Sequence, residues 1–419
     1  MLFAEIVAKF GFTEADAALI APGMEASESF FPGVNGVFFL QDEFIRKYAA
    51  MAAVKPEHLE EIFQAKANLE SDAAAVRLLW HYYYLLYRAE NKLASGQLPA
   101  IKQLQGAESG CFYFLLALAA YPDAVDLYQR KGYPENVLKD TLADMSVWVE
   151  HYKNQLGFAG LTSRILGWLQ GHIQGDTFRL GRLQFKPYCK FFERVEVYRN
   201  VRTGGTLALS ATGIRYNSRG LLYDPGIDRS ERGTWISALQ HTDSSVTGNP
   251  VAPDGYVRSE QITLPFNEWK KVLSAGDPVI DIHIPAIGPM TVEACADSAS
   301  RAVEFMQKFF PELKHRAFVC ESWLLDNQFE QILSPESNIL LFQRAGYLYP
   351  YPHKSEAVSR IFGENAENLG IDSLPQKSSL QKAAADFLIK GGTFRNGAMF
   401  LLLEDLPWGG NKYRDSIKS

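Results

Sequence analysis

The chain has 419 residues, 47% hydrophobic and 21% charged, enough for two sizeable cores, because single cores rarely grow beyond a few hundred residues. Its four cysteines, Cys111, Cys189, Cys295 and Cys320, stand far apart with no C-x-x-C pair, which speaks against a disulfide framework or zinc knuckle and fits a reducing cytoplasm. The net charge is −6, with 13 Lys/Arg against 20 Asp/Glu in residues 1–155, and so acidic a first part argues against a nucleic-acid partner.

No membrane or secretion signal is expected. Glu5 interrupts the first apolar stretch, no small-residue cleavage site follows, and the longest apolar run, Cys111 to Tyr121, is too short to cross a bilayer. Helical signals fill the first 155 residues. Ser71 and Asp72 open a segment whose Leu78, Leu79, Tyr82, Leu85 and Leu86 recur at helical spacing, and the neighbouring aromatics Trp80 to Tyr87 are taken as packing. A second helix runs from about Cys111 to Arg130, and a third starts at Pro134 and continues through Leu138, Leu142, Met145, Val149 and Tyr152.

From Gly157 the pattern changes. Gly167, Gly171, Gly175 and Gly181 break helices, and Leu180 to Lys186 alternates as a half-buried strand does. The expected domains are therefore residues 1–156, helical, and 157–419, α/β. Strands at Val195 to Val201, Thr206 to Ile214 and Gly220 to Tyr223 read as an antiparallel meander, and Asp224 to Pro265 as an irregular excursion. Residues Arg179 to Arg219 carry nine basic side chains against Glu193 and Glu196, an excess that suits either a phosphorylated small molecule or a solvated face. Thereafter strand Val279 to Ile284, helix Thr291 to Phe310, strand Ala317 to Trp323, helix Asp326 to Leu333 and strand Asn338 to Leu348 imply parallel pairing. Helices near Ser355 to Phe362 and Ser379 to Lys390 and a final strand at Ala398 to Leu403 complete the sheet.

The chain holds no Walker A loop, Gly-x-Gly-x-x-Gly, His-Glu-x-x-His or Gly-x-Ser-x-Gly elbow. What stands out is the strand that carries Asp281 and His283 on one face and ends in the loop Ile284-Pro-Ala-Ile-Gly-Pro-Met before a helix capped by Thr291. Strand C-terminal ends border ligand crevices, and helix N-termini attract phosphates. A core histidine bonded to its neighbouring carboxylate is the plainer alternative. Glu321, inside the otherwise apolar Ala317 to Trp323, is costly to bury unless it is paired or used.

The segments Leu180-Gly-Arg-Leu-Gln-Phe185, His283-Ile-Pro with Gly288-Pro289, Glu293-Ala-Cys295, Phe318-Val-Cys-Glu-Ser-Trp-Leu-Leu-Asp326, and Ser337-Asn-Ile with Phe342-Gln343 together resemble a bacterial acyltransferase family. That family joins an N-terminal helical N-acyltransferase domain to a GNAT-like C-terminal domain with a mixed sheet flanked by helices. The resemblance implies acyl-CoA as co-substrate, no metal, and transfer to an amine acceptor that the sequence does not specify. It places the CoA pyrophosphate on the backbone N–H groups of the loop, drawn from Ile284, Ala286, Ile287, Gly288 and Thr291. Acyl transfer to an amine needs a base and an acid beside the carbonyl. His283 and Glu321 are the candidate bases, and Tyr347, with Tyr349 near it, the candidate acid. Pro285 and Pro289 withdraw two N–H donors from the loop, which motivates an alternative: a degenerate domain serving as a non-catalytic small-molecule or protein binding module. A hydrolase using Cys320 or Ser322 is a weaker rival, because the nucleophile elbow is missing.

Overall fold

The computed structural model describes the whole chain except residues 1–2, 193, 229–232, 353, 364–365 and 416–419. Glu193 and part of the excursion after Asp224 thus lie outside the described residues. Two compact units emerge, Met1–Arg179 and Leu180–Ser419. The first is helical throughout, the second a mixed sheet with helices, so the two-part α+β architecture is as expected.

In the first unit Asp72 caps the helix Ala73–Tyr83 by accepting the amides of Ala74 and Ala75 at 3.0 and 3.3 Å. That cap satisfies two of the four orphan donors of the first turn. Leu78, Leu79, Tyr82 and Tyr83 are buried on it, and Trp80 and Tyr83 pack their rings against Phe39, so these aromatics are packing elements. The expected helix through Cys111 is two helices, Gly106–Ala119 and Tyr121–Lys131, separated by Ala120 alone. The stretch Gly106–Lys131 is long and apolar enough to cross a membrane by length and composition, contrary to the estimate from its apolar core run, but 72% of its most apolar window is buried.

The helical unit also extends past Gly157. A further helix, Ser163–Ile173, runs straight through Gly167 and Gly171. These glycines do not break it. A Cβ on Gly167 would lie 2.7 Å from Ser95 Oγ, and one on Gly171 would lie 3.0 Å from Thr177 Oγ1, so they mark close approach rather than a turn.

The chain enters the second unit along β1 (Phe178–Leu180) and continues into β2 (Leu183–Lys190), β3 (Pro278–His283), β4 (Ala317–Ser322), β5 (Tyr347–Pro350) and β6 (Gly397–Leu402). Their order in the sheet is β1-β2-β3-β4-β6-β5. β3 and β4 are parallel, joined through the helix Val292–Phe309, while β2 pairs with β3, and β6 with both β4 and β5, antiparallel. All of β6 is buried, as a strand between two neighbours should be. The helix Val292–Phe309 buries Cys295, Ala299, Ala302, Phe305 and Met306 along one stripe, and each large apolar side chain so covered contributes roughly 1.5–3 kcal/mol.

Two expected elements differ. Residues Asn338–Arg344 are a helix, not a strand, because Ser337 caps them by accepting the Leu340 amide; a short apolar run such as Ile339-Leu-Leu-Phe342 fits both periods. Asp326 opens only the 3₁₀ turn Asn327–Gln331. Of the meander, Val195–Asn200 and Thr206–Ser210 pair antiparallel, but Leu222 makes only an isolated bridge to Tyr216. Within the excursion, Leu239–His241, Ser245–Gly248 and Ile262–Pro265 form a small antiparallel sheet, and Val246 and Leu264 join Tyr198 and Leu209 in a core of their own.

Candidate active site

β3 and β4 part at their C-terminal ends. Their mutual register runs from Val279↔Ala317 to Ile282↔Cys320 and stops there. His283 still pairs with Gln184 of β2, and Glu321 and Ser322 still pair with Ala398 and Gly397 of β6. Each strand keeps its outer partner past the point where the inner ladder ends, at the edge where ligand crevices form.

His283 and Glu321 stand at this opening. His283 Nε2 lies 3.0 Å from Asp281 Oδ2, both side chains being partly exposed. Alternation puts Asp281 and His283 on one face of β3, and the parallel register puts Val319 and Glu321 on the same face of β4. Burial raises the Glu321 carboxyl above the ordinary glutamate range; the Tyr351 hydroxyl, which donates to it, and His283 act in the opposite sense, and Asp281 adds to the rise. Burial and the Glu321 carboxylate push the Tyr351 hydroxyl up, so it stays protonated.

Tyr347 lies elsewhere. It is fully buried, its hydroxyl donates to the Val251 carbonyl and accepts the Ala208 amide, and its ring stacks on Phe400 at 4.9 Å. Tyr349 is buried too, its ring 5.9 Å from Phe191 and 6.3 Å from Phe400. The tyrosine that meets Glu321 is Tyr351, just past the end of β5, which sequence reasoning did not select. The signal was present in Tyr347-Leu-Tyr-Pro-Tyr351, where alternation puts three tyrosines on one side without telling which emerges from the core. Cys320 is buried, and burial holds its thiol well above the usual range; burial and Asp281 push the Cys189 thiol up to about 11. Neither is a ready thiolate.

The loop 284–291 is shaped by a residue from β2's entrance. The Arg182 guanidinium donates to the carbonyls of Pro285, Pro289 and Gly288 at 3.0, 3.2 and 3.2 Å. Three loop carbonyls are thereby turned toward one cation. Ile287 donates to Pro285 O at 2.8 Å, whereas the amides of Ala286, Gly288 and Thr291 have no acceptor among the described residues. Gly288 takes φ +45°, a conformation that glycine adopts at low cost. Thr291 caps the helix Val292–Phe309 by accepting the Ala294 amide at 3.2 Å. The loop therefore presents unpaired amides, a helix N-terminus and an arginine together, the elements of an anion cradle.

Part of the basic run Arg179 to Arg219 is engaged by partners within the second unit. Arg199 pairs with Asp405 at 2.6 Å and Arg202 with Glu268 at 3.3 Å, while Arg182 holds the loop. No group of three or more potential metal ligands occurs among the described residues.

The N-acyltransferase N-terminal domain model matches residues 43–175, and the GNAT-like C-terminal domain model matches residues 177–401. No curated protein matches. Among solved structures, an acyltransferase in complex with decanoyl-CoA and teicoplanin is similar over 96% of this chain and 100% of its own, with TM-score 0.64 and 21% identity. An acyltransferase mutant in complex with octanoyl-CoA gives TM-score 0.63 over the same shares, also at 21% identity. A third, in complex with CoA and 10C-teicoplanin, gives 0.64. At that identity the likeness shows a shared fold. The two domain models together span most of the sequence in the right order, and the chain belongs to the family that joins an N-acyltransferase N-terminal domain to a GNAT-like C-terminal domain.

Proposed function

We propose that this chain is an N-acyltransferase that moves an acyl group from acyl-CoA to an amine. The observation that carries this is the parting of β3 and β4 beyond Ile282↔Cys320, with His283 and Glu321 at the opening and the anion cradle of residues 284–291 following directly. The similar structures hold decanoyl-CoA or octanoyl-CoA, which supports the same class of donor here. The pyrophosphate lies against the amides of Ala286, Gly288 and Thr291, with Arg182 holding the loop and adding positive charge. Pro285 and Pro289 withdraw two donors, and Arg182 offsets that loss electrostatically.

The amine nitrogen attacks the thioester carbonyl, a C–N bond forms, and the C–S bond breaks. One proton leaves the nitrogen and one reaches the departing CoA sulfur, so the products are an amide and free CoA thiol. His283, oriented by Asp281, accepts the amine proton. Glu321 holds the Tyr351 hydroxyl in the resting site. As the C–S bond breaks, the hydroxyl turns its single proton from Glu321 to the leaving sulfur, and the proton taken up by His283 returns to Tyr351 through solvent, so both groups are restored. This is the acid role expected of Tyr347. Release of free thiol from decanoyl-CoA in the presence of an amine panel tests this. Amine-dependent release that falls in both His283→Ala and Tyr351→Phe supports it; release unaffected by either variant removes these residues from the chemistry. A non-catalytic binding module is the second reading, favoured by the two loop prolines, and it requires no thiol release with any amine.

A further inference from the structure

A cavity of about 850 Å³ lies in the second unit, with Tyr349 and Tyr351 from the end of β5 in its wall. Tyr351, whose hydroxyl meets Glu321, thus joins the cavity wall to that carboxyl, although no residue of β3 or β4 lines the cavity itself. Its size falls within that of small-molecule sites. Apolar side chains from separate segments, among them Ile214, Leu222, Leu348 and Phe394, line it.

Its charge is one-sided. Arg194, Arg215, Lys354 and Arg395 face it against Asp224 as the one acid among the described lining residues. Arg395 is neutralised by Asp228, 2.6 Å away and buried, and Arg215 lies over the Tyr223 ring at 5.7 Å. Arg194 pairs with no carboxylate among the described residues, and it is close enough to act electrostatically on the Tyr351 hydroxyl. A guanidinium in a concave, largely apolar wall favours an anion with two acceptor oxygens, and the surplus of cations disfavours a purely cationic guest.

We infer that this cavity receives the acyl acceptor and that the acceptor is an amine carrying a carboxylate-like anion on an apolar body, with the anion on Arg194 and the amine directed past the Tyr351 end of the wall toward the reacting carbonyl. This rests on the acyltransferase reading and names the acceptor class within it. The Phe192 ring, 52% exposed and 6.1 Å from Tyr351, stands beside the same tyrosine as a further apolar contact for such a body.

The test is calorimetric titration of the full chain, at low salt and with CoA present, with leucyl-phenylalanine and with its C-terminal amide, which differ only in the anion. The acid is expected to bind about tenfold tighter, as one charge-assisted contact allows. Arg194→Gln should erase that preference and Arg194→Lys retain part of it, with decanoyl-CoA affinity unchanged in both. Equal affinity for the pair, no heat with either, or an undiminished preference in Arg194→Gln would overturn the inference. If decanoyl-CoA still binds the wild type in those cases, the acyltransferase reading stands without it. Absence of decanoyl-CoA binding by the wild type overturns both.

Discussion

His283 and Glu321 sit on neighbouring strands with different companions, Asp281 beside one and Tyr351 on the other. A base beside the reacting carbonyl typically contributes 10²–10⁴-fold. His283→Ala is therefore expected to lower turnover by about that range while leaving the melting temperature near that of the wild type, because the side chain is partly exposed. Glu321 carries a pH signature. Burial raises its carboxyl, and its ionised form is the stronger acceptor for the Tyr351 hydroxyl, so kcat/KM should climb as pH rises through that raised value. Glu321→Gln should flatten that limb, as a pH profile of thiol release would reveal; an unchanged limb would assign it to another group. Tyr347 gives the opposite expectation. Tyr347→Phe leaves the buried Val251 carbonyl and Ala208 amide without their partner, a loss of roughly 1–3 kcal/mol. Chemical denaturation should register it, and turnover per folded molecule should not change.

The loop 284–291 and its arginine form the element that sequence reasoning half resolved. The Gly/Pro composition and the Thr291 cap were legible because they are local. Arg182 was not, because it reaches the loop from more than 100 residues earlier, and only the register of β2 against β3 brings the two together. The parting of β3 and β4 is invisible for the same reason, being a property of which pairs stop rather than of any residue. The misassigned strand at Asn338 had another cause: its apolar run satisfies both periods, and the Ser337 cap settles it. Gly397 shows how tightly the neighbouring edge is built, since a Cβ there would come within 2.0 Å of the Leu325 carbonyl. Arg182→Ala is expected to weaken CoA binding about tenfold by loosening the loop carbonyls and removing a cation, measured by calorimetry. A variant that binds CoA like the wild type would show that the cradle does not depend on it.

At the scale of the whole molecule, composition and period were enough to separate a helical part from a sheet part, yet they set the change at Gly157 instead of Leu180. Glycine inside a helix has two causes, a break or a close approach, and the sequence does not distinguish them; Gly167 and Gly171 prove to be the second. Family membership rested on strings dispersed over β2, β3, β4 and the helices after them, and those strings fall on the elements that frame the opening. The most direct test is calorimetric titration of the full chain with CoA and decanoyl-CoA, followed by thermal shift. Binding at micromolar strength, with decanoyl-CoA tighter than CoA, is expected if the opening between β3 and β4 holds an acyl donor. No heat and no shift with either would contradict it and leave a domain that binds something else.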